Sequence, residues 1–327
     1  MHQLHHPLPP ADAALSPWLD RCGALSPEYG AAFSTHLPMA LHALHALGAP
    51  PAQLAALFDA IVPTVPPLAD AAAHSAGDDT PPQLGAYNHF GAWRRHLAAR
   101  VQQAGAPAVL SQLLPVLLPG VGAAAFHGLI RTAHGVAAGR AGEVVNGLAY
   151  WAARHMPLPL PPQDAEPPAA LPLAAWLDAV QALPAPPGPP AMLITGRMQA
   201  WAGVPGFRQV APALALGPDT LAQLARHAAA LHAASGNFTL LHAVTACHAL
   251  LVLQPWLPAQ PMVLPPVVVA LAAALRASGV PNLRAPAQAA PPPPWADTVA
   301  RAIASRDEHV IKLVQACQAL QARPGHR

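Results

Sequence analysis

Forty-three prolines divide this chain, and they gather at 156–168, 183–190 and 285–294, between segments whose apolar residues recur at helical spacing. A proline inside a helix removes a backbone hydrogen bond and crowds the preceding turn, so the runs read as stiff connections. Alternating β-branched stretches are nearly absent; Val267 to Val269 is the longest, and it continues into alanine-rich sequence. The pattern predicts an all-α fold with helices over 34–48, 51–62, 86–104, 107–118, 122–138, 140–155, 170–182, 218–233, 237–253, 264–278, 295–304 and 306–321. No fixed-period repeat of the solenoid kind is present. The run at 156–168 could separate two helical halves. Because the histidines of interest lie on both sides of it, one large domain over 1–327 with proline-rich connecting loops is expected.

A chain of 327 residues, 53% of them hydrophobic, can bury a large core. Charged residues make up 10%, the net charge is +2, and the basic residues are scattered, so no nucleic-acid stripe is expected. Cys22, Cys247 and Cys317 are far apart and form no CxxC pair, which fits a reducing, cytoplasmic location. The segment 107–130 carries no Asp, Glu, Lys or Arg and has the length of a membrane span. Pro115, Pro119, Gly120, Gly122, Gln112 and His127 interrupt it, and Pro119-Gly120 reads as a turn between two helices, so no membrane span is expected. The first twenty residues hold His2, His5 and His6 but no Lys or Arg, unlike a secretory signal. The sequence is silent on oligomeric state.

The basic residues are sixteen arginines and one lysine, Lys312. Surface sites need only a positive charge, so a lysine surviving among arginines is a candidate for a role that arginine cannot fill. The alternative is a chance survivor on a solvated face. In the last predicted helix, Ser305-Arg306-Asp307-Glu308 reads as a capping box, with Ser305 and Glu308 as its partners. His309 and Lys312 follow three residues apart at the edge of the stripe Val310, Leu313, Val314, Cys317 and Leu320.

Eighteen histidines stand against fifteen acids. His2, His5, His6 and His326 fall in the termini; His74, His89, His96, His155, His227 and His232 read as half-exposed surface residues. In Ser34-Thr35-His36-Leu37-Pro38, Ser34 or Thr35 can cap a helix that Pro38 opens, placing His36 at its start. Ala40 and Ala43 share its face and leave room for a bound group, whereas His42 and His45 point to the other side. His127, Arg131 and His134 share one face of an otherwise apolar helix, either as a functional set or as a hydrogen-bonded buried group. Thr245 follows His242 on one face, and His248 lies away from it, which makes His242 the better candidate. HExxH, Glu-x-x-His, GxGxxG, Walker and GxSxG motifs are all absent, so zinc-protease, ferritin-like, Rossmann and hydrolase-elbow sites are not indicated.

At these same residues the sequence resembles the questin oxidase-like family. The stretches that carry the resemblance are Thr35 to Ala40 with Leu47-Gly48, Leu118-Pro119-Gly120, Phe126 to His134, Leu148 to Ala153, Leu241 to Thr245 and Asp307 to Lys312, in one order along nearly the whole chain. The resemblance implies oxidative ring opening or Baeyer–Villiger-type oxidation of an aromatic, quinone-like or phenolic substrate with dioxygen. It implies a non-haem iron, Fe(II), held by His36, His127, His242, His309 and a carboxylated Lys312. A carbamate supplies a carboxylate where the matching motifs have no Asp or Glu inside the cluster, and arginine cannot form one. Arg131 and His134 stand where the fungal type has His and Tyr, and are candidates to orient an anionic phenolate or peroxide. An NADPH reductant would have to bind without a Rossmann domain. Tyr150 and Trp151 read as core. Two other classes remain open: a redox-silent metal hydrolase on the same ligands, and a helical apolar-ligand-binding protein whose histidines only form hydrogen bonds.

Overall fold

A computed structural model describes residues 6–69, 81–162, 164, 168–258, 260–284 and 293–322, leaving aside the side chains of 260–262. His2, His5, His74 and His326, and most of the 285–294 proline run, lie outside these residues. The fold is all-α. The first helices are α1 (Ser16–Cys22), α2 (Leu37–Ala46), α3 (Pro51–Ile61), α4 (Phe90–Ala104), α5 (Ala106–Leu117), α6 (His127–Ala137), α7 (Ala141–Ala153) and α8 (Leu173–Gln181). They are followed by α9 (Ile194–Ala202), α10 (Phe207–Val210), α11 (Thr220–Ser235), α12 (Phe238–Leu253), α13 (Gln260–Ala277), α14 (Trp295–Ser305) and α15 (Glu308–Gln321). Among the described residues the sheet content is one hairpin, β1 (Glu28–Tyr29) paired antiparallel with β2 (Phe33–Ser34). The sequence pattern misses α1, α9, α10 and the hairpin. Pro115 lies within α5 and Pro265 and Pro266 within α13, inside the helices expected over 107–118 and 264–278.

One large core runs from Met39 to Leu320 and draws residues from both sides of 156–168. A smaller cluster joins α1, α2 and α3 through Leu15, Leu41 and Phe58 to Ile311 of α15. The helix at the centre is α12, which packs on α6, α11, α13 and α15. It is apolar on nearly all faces, as a helix covered by neighbours must be. With the turn that follows it, Phe238–Trp256, it is long and apolar enough to cross a membrane, and 72% of its most apolar window is buried by the rest of the chain.

The most extensively packed helix pair is α6 with α7, and glycine sets its spacing. A Cβ on Gly147 would stand 2.5 Å from the Thr132 nitrogen, and one on Gly128 would stand 2.5 Å from the Trp151 Cα. Both contacts are with backbone and cannot be relieved by a rotamer change. Gly147→Ala should therefore force the helices apart and cost about 1–3 kcal/mol, despite alanine's better helix propensity. Thermal unfolding checks this: a melting point lowered by several degrees is expected, and an unchanged one would show that glycine does not set the spacing.

Candidate metal centre

Four helices close a ring in which each packs on the next: α2 on α6, α6 on α12, α12 on α15 and α15 on α2. Each contributes one imidazole to the middle. His36 Nε2 lies 2.6 Å from His127 Nε2, and one ring nitrogen from each of His36, His127 and His242 lies within 4.8 Å of the other two. His309 completes the group, its ring centroid 4.3 Å from that of His36 and 6.0 Å from that of His242. Ligands at opposite sides of a metal are about 4.2 Å apart and adjacent ones about 3 Å, given metal–nitrogen bonds of about 2.1 Å. The nitrogens of His36, His127 and His242 are spaced on that scale, and His309 stands beside them with its ring next to that of His36.

Two of the outer nitrogens are already engaged. His127 Nδ1 donates to the Ala124 carbonyl at 2.5 Å and His242 Nδ1 to the Phe238 carbonyl at 2.8 Å. A proton on Nδ1 leaves the Nε2 lone pair aimed inward, the arrangement that prepares a histidine for a metal. On His309, Nδ1 lies 3.6 Å from Asp307 Oδ1, while Nε2 is buried without a hydrogen-bond partner. A buried nitrogen without a partner is costly unless something binds it.

The backbone before His127 is shaped for this contact. Ala124, Ala125 and Phe126 all have positive φ, at 47°, 54° and 70°. Each non-glycine residue held there costs about 1–2 kcal/mol. The predicted helix over 122–138 therefore begins only at His127, and the strained turn puts the Ala124 carbonyl under His127 Nδ1.

His36 is held from the opposite side. The helix starts at His36 itself, and neither Ser34 nor Thr35 caps it. Ser34 Oγ instead meets the Tyr150 hydroxyl at 2.7 Å, and that hydroxyl donates to Glu28 Oε1 at 2.8 Å. Arg154 Nε donates to the same carboxylate at 2.7 Å. This buried network on α7 fastens the hairpin whose second strand leads into His36.

The N-cap of α15 is Asp307, which accepts from the His309 and Val310 N–H groups. Ser305 ends α14, and the reversal at Arg306 (φ 55°) takes it out of capping range, so the expected Ser305–Glu308 box does not form. Glu308 is left with a buried, unpartnered Oε1, and its carboxyl is pushed up to about 7 by burial, against the pull of Lys312. Lys312, one turn further on, is 2% exposed. Burial brings its amine down to about 8, opposed by Glu308 and Asp307. Burial, followed by the charge of Lys312, depresses His36, His242 and His309; in His127 the effect of His242 ranks ahead of that charge. The lone lysine thus stands within electrostatic reach of all four imidazoles.

Two turns along the same three helices lies a second buried histidine layer. His42 Nδ1 and His134 Nδ1 are 2.8 Å apart, and His248 is buried close enough that its charge depresses both. His42 and His248 face away from the first cluster, as their helical phases imply, yet they point into the protein. His45 faces Asp12 near the surface at 3.1 Å. Arg131 is buried, with Nε donating to Glu143 Oε1 at 2.5 Å, and ties α6 to α7. His89, His96, His155, His227 and His232 are half-buried as expected, and none of the three cysteines is in a disulfide.

The family model described as Questin oxidase-like matches residues 33–202 and 209–317. The chain belongs to the questin oxidase-like family. The two matched segments include α2, α6, α12, the part of α15 that carries His309 and Lys312, and both histidine layers. This questin oxidase-like chain is accordingly an oxidoreductase, and the family suggests oxidase or oxygenase activity on anthraquinone-like substrates. A search of curated proteins returns no match.

Proposed function

We propose that this questin oxidase-like protein is a cytoplasmic, non-haem iron oxygenase acting on the ring of an anthraquinone-like or related phenolic compound. The observation that carries the proposal is the convergence of four imidazoles from four helices beside the chain's sole lysine. Two of these rings have their outer nitrogen bound to a backbone carbonyl, and a third has a buried Nε2 with no partner. His36, His127, His242 and His309 would hold Fe(II), and Lys312 would complete the set as a carbamate. Imidazoles with one carboxylate-type oxygen suit iron better than the softer metals. Iron bound here would supply dioxygen activation for oxidation of an electron-rich ring.

The chain's own residues prepare that state. The Ala124 and Phe238 carbonyls fix the tautomers of His127 and His242. A neutral Lys312 amine attacks carbon dioxide, forming an N–C bond and releasing one proton, and becomes an anionic oxygen donor. The ammonium form must first give up a proton of its own, so the positive charge is gone before the N–C bond forms, and with it the depression that Lys312 exerts on the imidazoles. Arg131 fixes α6 against α7, and His134, on the helix of His127, is paired with His42 in the second layer rather than turned to the metal centre. The unpaired cysteines support a reducing compartment.

Carbamate forms only from the neutral amine, so metal loading should rise between pH 7 and 9, through the value of about 8 for Lys312. Loading should also rise with added bicarbonate. His242 and His309, held to about 3 and about 4, are already neutral in this range and add no opposing trend. Elemental analysis after iron loading, paired with oxygen uptake on a hydroxyanthraquinone, tests the reading. Expected results are one iron per chain, loss of iron in His127→Ala and its retention in His42→Gln. A tightly held zinc with no oxygen uptake would favour a hydrolase. No retained metal, with ligand binding unaltered in His127→Ala, would favour a binding protein.

A further inference from the structure

Large apolar side chains left in water normally scatter over a protein. Among the described residues seven are exposed, and four of them, Tyr29, Phe33, Phe238 and Val310, belong to the segments that bear the metal centre. Phe238 opens α12, is 51% exposed, and yet sets its ring 4.8 Å from that of His242 and 4.7 Å from that of His309. Val310 follows His309 directly. Tyr29 and Phe33 lie on facing strands of the hairpin with ring centroids 6.0 Å apart. Phe33 stands on the strand that leads into His36, whose ring lies 4.3 Å from that of His309. Of the four clustered imidazoles only His309 is not buried; its side chain is 27% exposed. His309 is thus the imidazole nearest solvent, although its Nε2 is buried, and the surface beside it carries the exposed Phe238 ring.

We propose that Phe238, Val310, Tyr29 and Phe33 form the mouth of the metal centre, and that Phe238 docks the flat aromatic face of the substrate beside the His242–His309 pair. This rests on the reading of the site as a ring-oxidising centre, and adds the direction of approach and a specificity-determining residue. Aromatic rings meet in offset or edge-to-face geometry with a gain beyond area burial. Phe238 already holds two imidazoles edge-on, at interplanar angles of 71° and 60°. Its exposed portion is free for a third ring. The same ring supplies, through its own backbone carbonyl, the acceptor that orients His242. Since that contact is made by backbone, the side chain can be changed without removing it.

The test uses the iron-loaded full chain without oxygen, and 1,8-dihydroxyanthraquinone as a fluorescent probe. Phe238→Ala should weaken binding at least roughly tenfold, the scale of a lost aromatic pair with its buried area. Phe238→Trp, which keeps a ring, should stay within about threefold of the parent. Leu216→Ser, at another exposed apolar site, should bind as the parent does. Iron content should be equal in all four proteins. Parent-like binding by Phe238→Ala with iron intact overturns the mouth but leaves the proposed activity standing. Loss of iron in Phe238→Ala and Phe238→Trp alike overturns the docking role, since the side chain would then be part of the metal shell. Absence of probe binding in the iron-loaded parent overturns both this inference and the aromatic-substrate reading.

Discussion

Lys312→Arg is expected to abolish iron binding and oxygen uptake, although it keeps the positive charge and most of the side-chain length. The amine is 2% exposed and brought down to about 8, so a neutral fraction exists near physiological pH. Guanidinium stays protonated and cannot take up carbon dioxide, so the arginine would hold a permanent cation among four imidazoles. Adding a cation where an anion is required reverses the electrostatics of the whole site, and a loss of at least 100-fold in iron affinity is expected on the scale of buried ion pairing. Lys312→Ala leaves a space instead of a cation and should recover part of its iron when formate or acetate is supplied. Elemental analysis and oxygen uptake on the two variants check this. Glu308 provides the counter-reading, because its buried carboxyl lies one turn before Lys312 with an unpartnered Oε1. Should Lys312→Arg keep its iron while Glu308→Gln loses it, the oxygen ligand is Glu308 and the carbamate falls.

The second large effect is acid instability of the metal-free protein. His42 and His242 are held by burial at about 4 and about 3, against an ordinary value of 6.5. The unfolded chain therefore takes up protons first as pH falls. The stability conferred by neutral imidazoles is complete above about 6.5 and is lost as pH falls toward the folded values. By linkage, His42 alone contributes on the order of 3 kcal/mol, and His242 more than that. His36, His127 and His134 are depressed in the same direction, and typical domains are stable by only about 5–15 kcal/mol. The metal-free protein should thus unfold cooperatively between about pH 6 and 4, which circular dichroism would follow. Iron, by binding the same nitrogens, should move the transition to lower pH. A metal-free protein that stays folded at pH 4 would show that the two histidine layers accept protons within the fold.

Much of the site was legible because its ligands sit in strongly apolar helices, where a histidine stands out against Leu, Val and Ala. His242 stood out on α12 by period. On α15 the expected stripe through Val310, Leu313, Val314 and Cys317 is not the buried face, which is Ile311, Lys312, Ala316 and Leu320, with Val310 exposed. Grouping these residues with His36 and His127 required the family resemblance. What local pattern could not supply was decided by distant contacts. Ala123-Ala124-Ala125-Phe126 has helical propensity, yet three of the four residues are left-handed, with the Ala124 carbonyl bound to His127. The hairpin at 28–34 has two-residue strands, too short for a periodic signal, and is held by Tyr150 from α7. His42 was read correctly as facing away from His36, but its pairing with His134 depends on how α2 rotates against α6, which no single-helix pattern encodes. Phe238 was not singled out in the sequence, and only its exposure beside two imidazoles distinguishes it. Asp307 displaced Ser305 as the cap because the chain reverses at Arg306, a left-handed position that sequence gave no reason to expect.

In the proposed centre one iron is shared by four imidazoles and a carboxylated Lys312. Anomalous diffraction at the iron edge, from crystals grown with bicarbonate, measures this directly. The expected result is a single strong peak about 2.0–2.2 Å from a ring nitrogen of each of His36, His127, His242 and His309, with density for a carbamate continuing from Lys312 Nζ to the same peak. A peak elsewhere, or a peak at this position with Lys312 as a bare amine directed at Glu308, would contradict it.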